Sequence, residues 1–101
     1  MTTRFEWDPA KAASNLRKHG VSFETAELVF RDPFALTFLD RIERGELRWL
    51  TIGMVGSTKI ISVAHADREE DENGNTTEII RIISARKAVP AEKRRYEDEA
   101  R

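Results

Sequence analysis

The 101-residue sequence has no cysteine, few prolines and glycines, and no long run of apolar residues. Without cysteine, the chain has neither a disulfide framework nor a thiolate metal site. Its first ten residues, MTTRFEWDPA, lack the apolar segment of a secretory signal, and no stretch approaches the roughly 18 apolar residues of a membrane span. The sequence therefore predicts a small cytoplasmic protein, and its length favours one domain over residues 1–101.

Charged residues make up 35% of the chain and are unevenly distributed, although the net charge is only −1. Residues 66–78 hold six acidic side chains and one basic one, whereas residues 81–95 hold six basic side chains and one acidic one. The near-neutral total argues against a uniformly basic nucleic-acid-binding domain, but it hides this basic segment. A charged hairpin tip explains part of the acidic segment, and a solvated helix face explains part of the basic segment. They do not explain cations within an isoleucine-rich strand.

Three segments carry helix signals. The first has Asp8 at the N-cap, Pro9 at the first helical position and Gly20 as a left-handed stop. Ser22 suits the N-cap of a second helix that follows directly. A third, short helix is predicted to begin at Pro90, near the C-terminus.

Between the second and third helices the apolar residues alternate with a period of two, which is typical of strands. Four strands are predicted in this part of the chain: 34–40, 47–55, 59–66 and 78–86. Short connectors favour an antiparallel meander, and the longer acidic connector is either a long hairpin or a mobile loop. With a short edge strand at 5–7, the prediction is an α+β fold. In it, an N-terminal helical hairpin packs on one face of a four- to five-stranded antiparallel sheet.

The last predicted strand, IIRIISARKA (79–88), combines four isoleucines with three cations, Arg81, Arg86 and Lys87. Its apolar middle indicates a central strand, and strict alternation places Arg81 and Arg86 on opposite faces. If its antiparallel neighbour is the preceding strand, Arg68 lies roughly level with residues 78–81, while Arg86 and Lys87 lie toward the opposite end.

A group of arginines with a lysine and a histidine suits RNA cleavage without metal. The RNA supplies its own 2′-hydroxyl nucleophile, a general base removes that proton, and guanidinium groups stabilise the charge that grows on phosphorus. Exposed arginines at strand ends are more often ordinary surface charges, so this pattern leaves both interpretations open. The two histidines, His19 and His65, lack ligand spacing, so no metal site is expected.

Four segments together resemble one protein family, the BrnT ribonuclease toxins. They are FEWDPAKAASNLRKHGVSFETAELVFRDP (5–33), GELR (45–48), IRIISARKA (80–88) and RRYE (94–97). The resemblance implies a RelE-like fold and the toxin of a type II toxin–antitoxin system, an endoribonuclease that cleaves RNA and inhibits translation. It also implies a BrnA-like ribbon-helix-helix antitoxin as partner, with DNA contacted only through the complex.

The resemblance also implies functional residues, and no cofactor or metal among them. By position in the family motifs, Arg68 and Arg86 are the candidate catalytic arginines, and His65 is a candidate acid or base. The candidate RNA-binding residues are Arg81, Lys87 and Lys18.

The acidic segment after Arg68 departs from the family pattern, since carboxylates repel a phosphate backbone. An alternative interpretation is therefore a non-catalytic, degenerate toxin-fold module. Such a module binds the antitoxin and contributes only to a nucleic-acid-binding repressor complex.

Overall fold

The structure, a computed structural model, describes residues 2–99 as an α+β fold with five strands and three helices. In chain order the elements are β1 (Thr2–Glu6), α1 (Pro9–His19), α2 (Phe23–Val29), β2 (Leu36–Glu43), β3 (Glu46–Val55), β4 (Lys59–Glu72), β5 (Asn75–Lys87) and α3 (Pro90–Glu99). Within residues 2–99, no helix is long and apolar enough to cross a membrane.

The strands form one mixed sheet in the order β1-β5-β4-β3-β2. The meander from β2 to β5 is antiparallel, as the short connectors predicted. The prediction of a purely antiparallel sheet is wrong, because β1 pairs with β5 in parallel. Connector length constrains only strands that follow each other along the chain, and β1 pairs with the most distant strand.

The N-caps predicted for the first two helices are confirmed. The Asp8 carboxylate accepts the Ala10 N–H at 2.8 Å, and the Ser22 hydroxyl accepts the Thr25 N–H at 3.0 Å. Gly20 ends α1 with a φ of 70°, a conformation that favours glycine. The two helices do not pack on each other as a hairpin: α1 contacts β5, whereas α2 contacts β3, β4 and β5.

The core lies between these helices and the sheet. We call this side the helix face; it includes Ile61, Val63, Ile82 and Ala85. Phe23 of α2 is fully buried against it, a burial that contributes about 1.5–3 kcal/mol.

Asn15 closes the edge of β5 where β1 stops. β1 pairs with β5 only as far as Arg81, and beyond that point the Asn15 amide takes the place of a neighbouring strand. Its nitrogen donates to the Ala85 carbonyl at 2.8 Å, and its oxygen accepts the Ala85 N–H at 3.1 Å. Asn15 is buried, and this contact fixes α1 against the sheet.

The C-terminal helix α3 covers part of the opposite side of the sheet. Tyr96 is buried there with Leu50, Ile52 and Ile60. Its hydroxyl donates to the Asp32 carboxylate at 2.5 Å. Burial, followed by this hydrogen bond, raises the pKa of Tyr96 to about 12.

The acidic connector forms the end of a long β4–β5 hairpin. Asn73 and Gly74 both have positive φ, 53° and 82°, as a two-residue type I′ turn requires. The strands therefore extend through most of the acidic segment, well beyond the bounds that the apolar residues indicated.

A bulge in β5 changes which side chains share a face. Ser84 is opposite Ala64, but His65 is opposite Ile82, so Ile83 is left without a partner. Strict alternation fails at this extra residue. Consequently Arg81 and Arg86 lie on the same face, and the prediction of opposite faces is wrong.

Candidate functional site

Several arginines lie on the side of the sheet away from α1 and α2, among them Arg48, Arg68, Arg81 and Arg86. In β4 this side carries Arg68, and the same side of β5 carries Arg81, opposite Ala66, and Arg86, opposite Ser62. Arg48 of β3 hydrogen-bonds the same carboxylate as Arg81. We call this surface the arginine face, defined by these four residues. Arg68 is opposite Ile79, as the antiparallel pairing predicted, so Arg68 and Arg86 are about 20 Å apart along the strand.

The centre of the arginine face is a carboxylate held by two guanidinium groups. Glu46 Oε1 accepts hydrogen bonds from Arg81 Nη2 at 2.7 Å and from Arg48 Nε at 3.0 Å. Glu46 Oε2 has no hydrogen-bond partner within residues 2–99. Ala66, opposite Arg81 in β4, has a small side chain that leaves room above the sheet for this contact.

The electrostatics keep Glu46 ionised. The pKa of Glu46 lies below its ordinary value, chiefly because of the hydrogen bond from Arg81 and with a contribution from Arg48. Both Glu46 and Arg81 are partly exposed, with side-chain exposures of 40% and 37%. An incoming polyanion can therefore reach this cluster from solvent.

Arg68 forms a second cluster nearer the hairpin turn. Its guanidinium donates two hydrogen bonds to Glu6, at 2.8 and 3.0 Å, and one to Glu70 at 3.2 Å. The hydrogen bond from Arg68 lowers the pKa of Glu6. Such exposed ion pairs contribute little to stability, so a phosphate can compete with them.

Arg86 forms the third cluster, which links β5 to α3. It donates to both oxygens of Glu92, at 2.7 and 3.0 Å. Glu92 also accepts the Ser62 hydroxyl at 2.8 Å and the Val89 N–H at 3.0 Å. These contacts, the Arg86 hydrogen bond first, lower the pKa of Glu92 to about 2.

His65 lies on the helix face, away from the arginines. It is 1% exposed, its ring meets Phe30 edge-on at 5.0 Å, and the two ring nitrogens contact Thr51 Oγ1 at 2.7 Å and Asp67 Oδ1 at 2.6 Å. The structure thus does not bring this candidate acid or base together with Arg68 or Arg86.

The two candidate lysines lie at separate places. Lys18 is exposed in the last turn of α1, beside a shallow pocket that Ser84 also lines. Lys87 is exposed at the end of β5 and lines another pocket with Lys59 and Lys93.

Sequence reasoning missed the residues that partner the candidate arginines. The GELR segment carried a usable signal, since alternation places Glu46 and Arg48 on one face of a strand. Glu6 gave none, because it is 62 residues from Arg68 in sequence. Glu92 is only six residues after Arg86, but the turn that brings α3 back against β5 has no local pattern that predicts this contact. In the part of the chain that the structure describes, no three His, Asp or Glu side chains are grouped closely enough to hold a metal ion.

Comparisons with known proteins give the family. A family model described as the ribonuclease toxin BrnT of type II toxin–antitoxin systems matches residues 7–92. The crystal structure of the Brucella abortus ribonuclease toxin BrnT aligns with a TM-score of 0.60 and 23% identity, covering 88% of this chain and 99% of that one. At this identity the structural likeness shows the fold alone, and a search of curated proteins found no match. Because the family model spans most of its length, the chain belongs to the BrnT family, the ribonuclease toxins of type II toxin–antitoxin systems.

Proposed function

We propose that this toxin is a metal-independent endoribonuclease whose cleavage centre is the Glu46 cluster, with Arg81 and Arg48. The observation that carries the proposal is the arrangement of this carboxylate. Two guanidinium groups hold Oε1, and Oε2 has no partner among the described residues. A general base and two phosphate-binding groups thus occupy one partly exposed site.

The chemistry follows from this arrangement. Glu46 Oε2 takes the proton of the RNA 2′-hydroxyl as the 2′-oxygen forms a bond to the adjacent phosphorus. Arg81 and Arg48 stabilise the negative charge of the phosphorane, for which the planar guanidinium fork is well suited. The bond from phosphorus to the 5′-oxygen then breaks, and that oxygen takes a proton from water. The products are a 2′,3′-cyclic phosphate and a 5′-hydroxyl end.

In this proposal Arg68 and Arg86 bind phosphates on either side of the cleaved bond. Their separation of about 20 Å along the strand excludes a shared contact with one phosphate. Acidic side chains continue beyond Arg68 toward the hairpin turn at Asn73, where they repel RNA. We therefore propose that the bound RNA strand lies between Arg68 and Arg86 and does not continue toward the hairpin turn.

His65 has a structural role in this proposal, because it is buried on the other face. Lys18 and Lys87 remain proposed RNA contacts outside the cleavage centre. We place the activity in the cytoplasm, since inhibition of translation requires access to RNA that is being translated.

The family implies an antitoxin partner and an RNA substrate. For this chain, the proposed partner is a BrnA-like ribbon-helix-helix antitoxin that covers the arginine face and supplies the DNA contacts. RNA and antitoxin then compete for the same guanidinium groups. An antitoxin complex in which Arg81 and Arg86 keep the solvent accessibility of the free toxin would contradict this.

One observation favours the alternative, a degenerate toxin that binds its antitoxin without cleaving RNA. Arg68, Arg81 and Arg86 are each already paired with a carboxylate. In this alternative the ion pairs are permanent, and phosphate does not displace them.

Cleavage of RNA by the purified chain in excess chelator separates the two. We expect cleavage with 2′,3′-cyclic phosphate ends, reduced about 10²–10⁴-fold in Glu46→Gln, which keeps the shape of the side chain but removes the base. Glu97→Gln removes a carboxylate of α3 and serves as the matched control. Full activity in Glu46→Gln contradicts the assigned base, whereas an inactive but folded wild type supports the degenerate toxin.

A further inference from the structure

A second group of cations lies at the end of the sheet where β4 begins and β5 ends. Lys59, Lys87 and Lys93 line one pocket of about 200 Å³, together with Thr58 and Ile60. No acidic side chain lines it. The pocket is outside the Glu46 cluster and takes no part in the chemistry described above.

The backbone brings these lysines together. Lys87 is opposite Ile61, two residues after Lys59 on the neighbouring strand, so the two lysines are diagonal neighbours on one face. The Ala88 N–H continues the pairing with the Ile60 carbonyl at 2.9 Å. The first turn of α3 follows directly and adds Lys93.

These lysines differ from the arginines in how their charge is balanced. Arg68, Arg81 and Arg86 each have a carboxylate partner. Across residues 2–99, no carboxylate forms an ion pair with Lys59, Lys87 or Lys93. Three like charges that face one pocket repel each other, and an anion that enters the pocket removes this repulsion.

We infer that this lysine pocket, formed by Lys59, Lys87 and Lys93, binds a backbone phosphate of the RNA strand. The inference rests on the proposed ribonuclease function. Lysine ammonium groups bind phosphate as point charges, and three of them surround a tetrahedral anion from different sides. Lys87 follows Arg86 but, being opposite Ile61, lies on the helix face, whereas Lys93 comes from α3 on the other side of the sheet. The pocket therefore lies at the end of the sheet next to Arg86, and an RNA strand that leaves the arginine face reaches it around this end. Lys59 and Lys93 are added as phosphate-binding residues by this inference.

The test is the binding of a fluorescent all-2′-O-methyl oligoribonucleotide, which lacks the 2′-hydroxyl nucleophile, followed by fluorescence anisotropy. The variant Lys59→Gln/Lys87→Gln/Lys93→Gln is compared with Lys11→Gln/Arg17→Gln/Arg44→Gln. The control removes three positive charges elsewhere, from residues that form no ion pair within the described part of the chain.

We expect the lysine variant to weaken binding about tenfold at 100 mM salt. We also expect it to reduce the slope of log Kd against log salt by about 0.7, the value for one lost single-strand phosphate contact. The control should change both quantities much less. Equal losses in the two variants would overturn the inference, because they would reflect net charge alone. Normal RNA binding combined with lost antitoxin binding would overturn it in favour of an acidic protein segment.

The two proposals fail separately. If wild-type protein cleaves RNA while the lysine variant binds and cleaves normally, the lysine pocket is overturned and the ribonuclease stands. If wild-type protein binds the oligonucleotide through these lysines but cleaves no RNA, the cleavage centre is overturned and the pocket stands. Wild-type protein that does not bind the oligonucleotide overturns the pocket.

Discussion

The helix face and the arginine face are built from alternate residues of the same strands, yet they treat polar groups in opposite ways. On the helix face, His65 is buried and both its nitrogens are hydrogen-bonded. On the arginine face, Arg68 and Arg81 are partly exposed and paired with carboxylates that solvent also reaches. Buried polar contacts are costly to break, whereas exposed ion pairs exchange partners at little cost. The contacts of His65 therefore help to maintain the fold, whereas Arg68 and Arg81 are free to exchange their carboxylate partners for another anion.

The first prediction, with the largest effect on stability, concerns the helix face. Phe23→Ala removes a fully buried ring and should lower the free energy of unfolding by about 3–5 kcal/mol. Urea denaturation measures this. Activity per folded molecule should be unchanged, and a specific loss of cleavage would show that the two faces are not separable.

The second prediction is a pH dependence at the boundary of the arginine face. Glu92 has a folded-state pKa of about 2, against an ordinary value of 4.5, so its contribution is fully present above 4.5 and is lost as the pH falls toward 2. Glu92→Gln should cost about 2 kcal/mol at pH 7, since Arg86 is only partly buried. The difference from wild type should disappear near pH 2.

Urea denaturation at several pH values tests this dependence. Glu97→Gln, an exposed position of the same helix, is the control and should show no such change. A Glu92→Gln deficit that persists unchanged at low pH would mean that packing, not charge, provides the contribution.

The third prediction distinguishes a structural from a catalytic histidine. His65→Leu removes two hydrogen bonds but fills the buried space, so a loss of about 1–2 kcal/mol is expected. RNA cleavage per folded molecule should remain near that of wild type. A much larger loss of cleavage in a folded variant would restore His65 as a catalytic group.

The fourth prediction has the smallest effect on stability. Arg68→Gln should leave the denaturation midpoint unchanged, because this exposed arginine is held only by surface ion pairs. RNA affinity should fall, with a salt slope reduced by about 0.7 for one phosphate contact. Arg44→Gln, in the β2–β3 turn, is the matched control. An equal effect in both variants would argue against a specific contact.

Local signals in the sequence predicted much of the fold. The caps at Asp8 and Ser22, the stop at Gly20 and the antiparallel order of the hairpins all depend on neighbouring residues. The parallel pairing of β1 depends on a strand more than 70 residues away, and no local pattern specifies it.

In the candidate site, too, only the positions that depend on neighbouring strands could be predicted from the sequence. Arg68 was correctly placed level with residues 78–81, because antiparallel pairing alone determines that position. The meeting of Arg81 with Glu46 depends on strands 35 positions apart in sequence. The shared face of Arg81 and Arg86 depends on the bulge at Ile83, which alternation cannot foresee.

The pairing of β1 with β5 also has a consequence for how the toxin is made. Thr2 is partnered with Thr77, so β1 stays unpaired until the ribosome has also made β5. Glu6 and Arg68, which meet through the same pairing, come together equally late. A nascent chain that does not yet include β5 therefore lacks the finished arginine face, and the toxin is assembled only after this strand has been made.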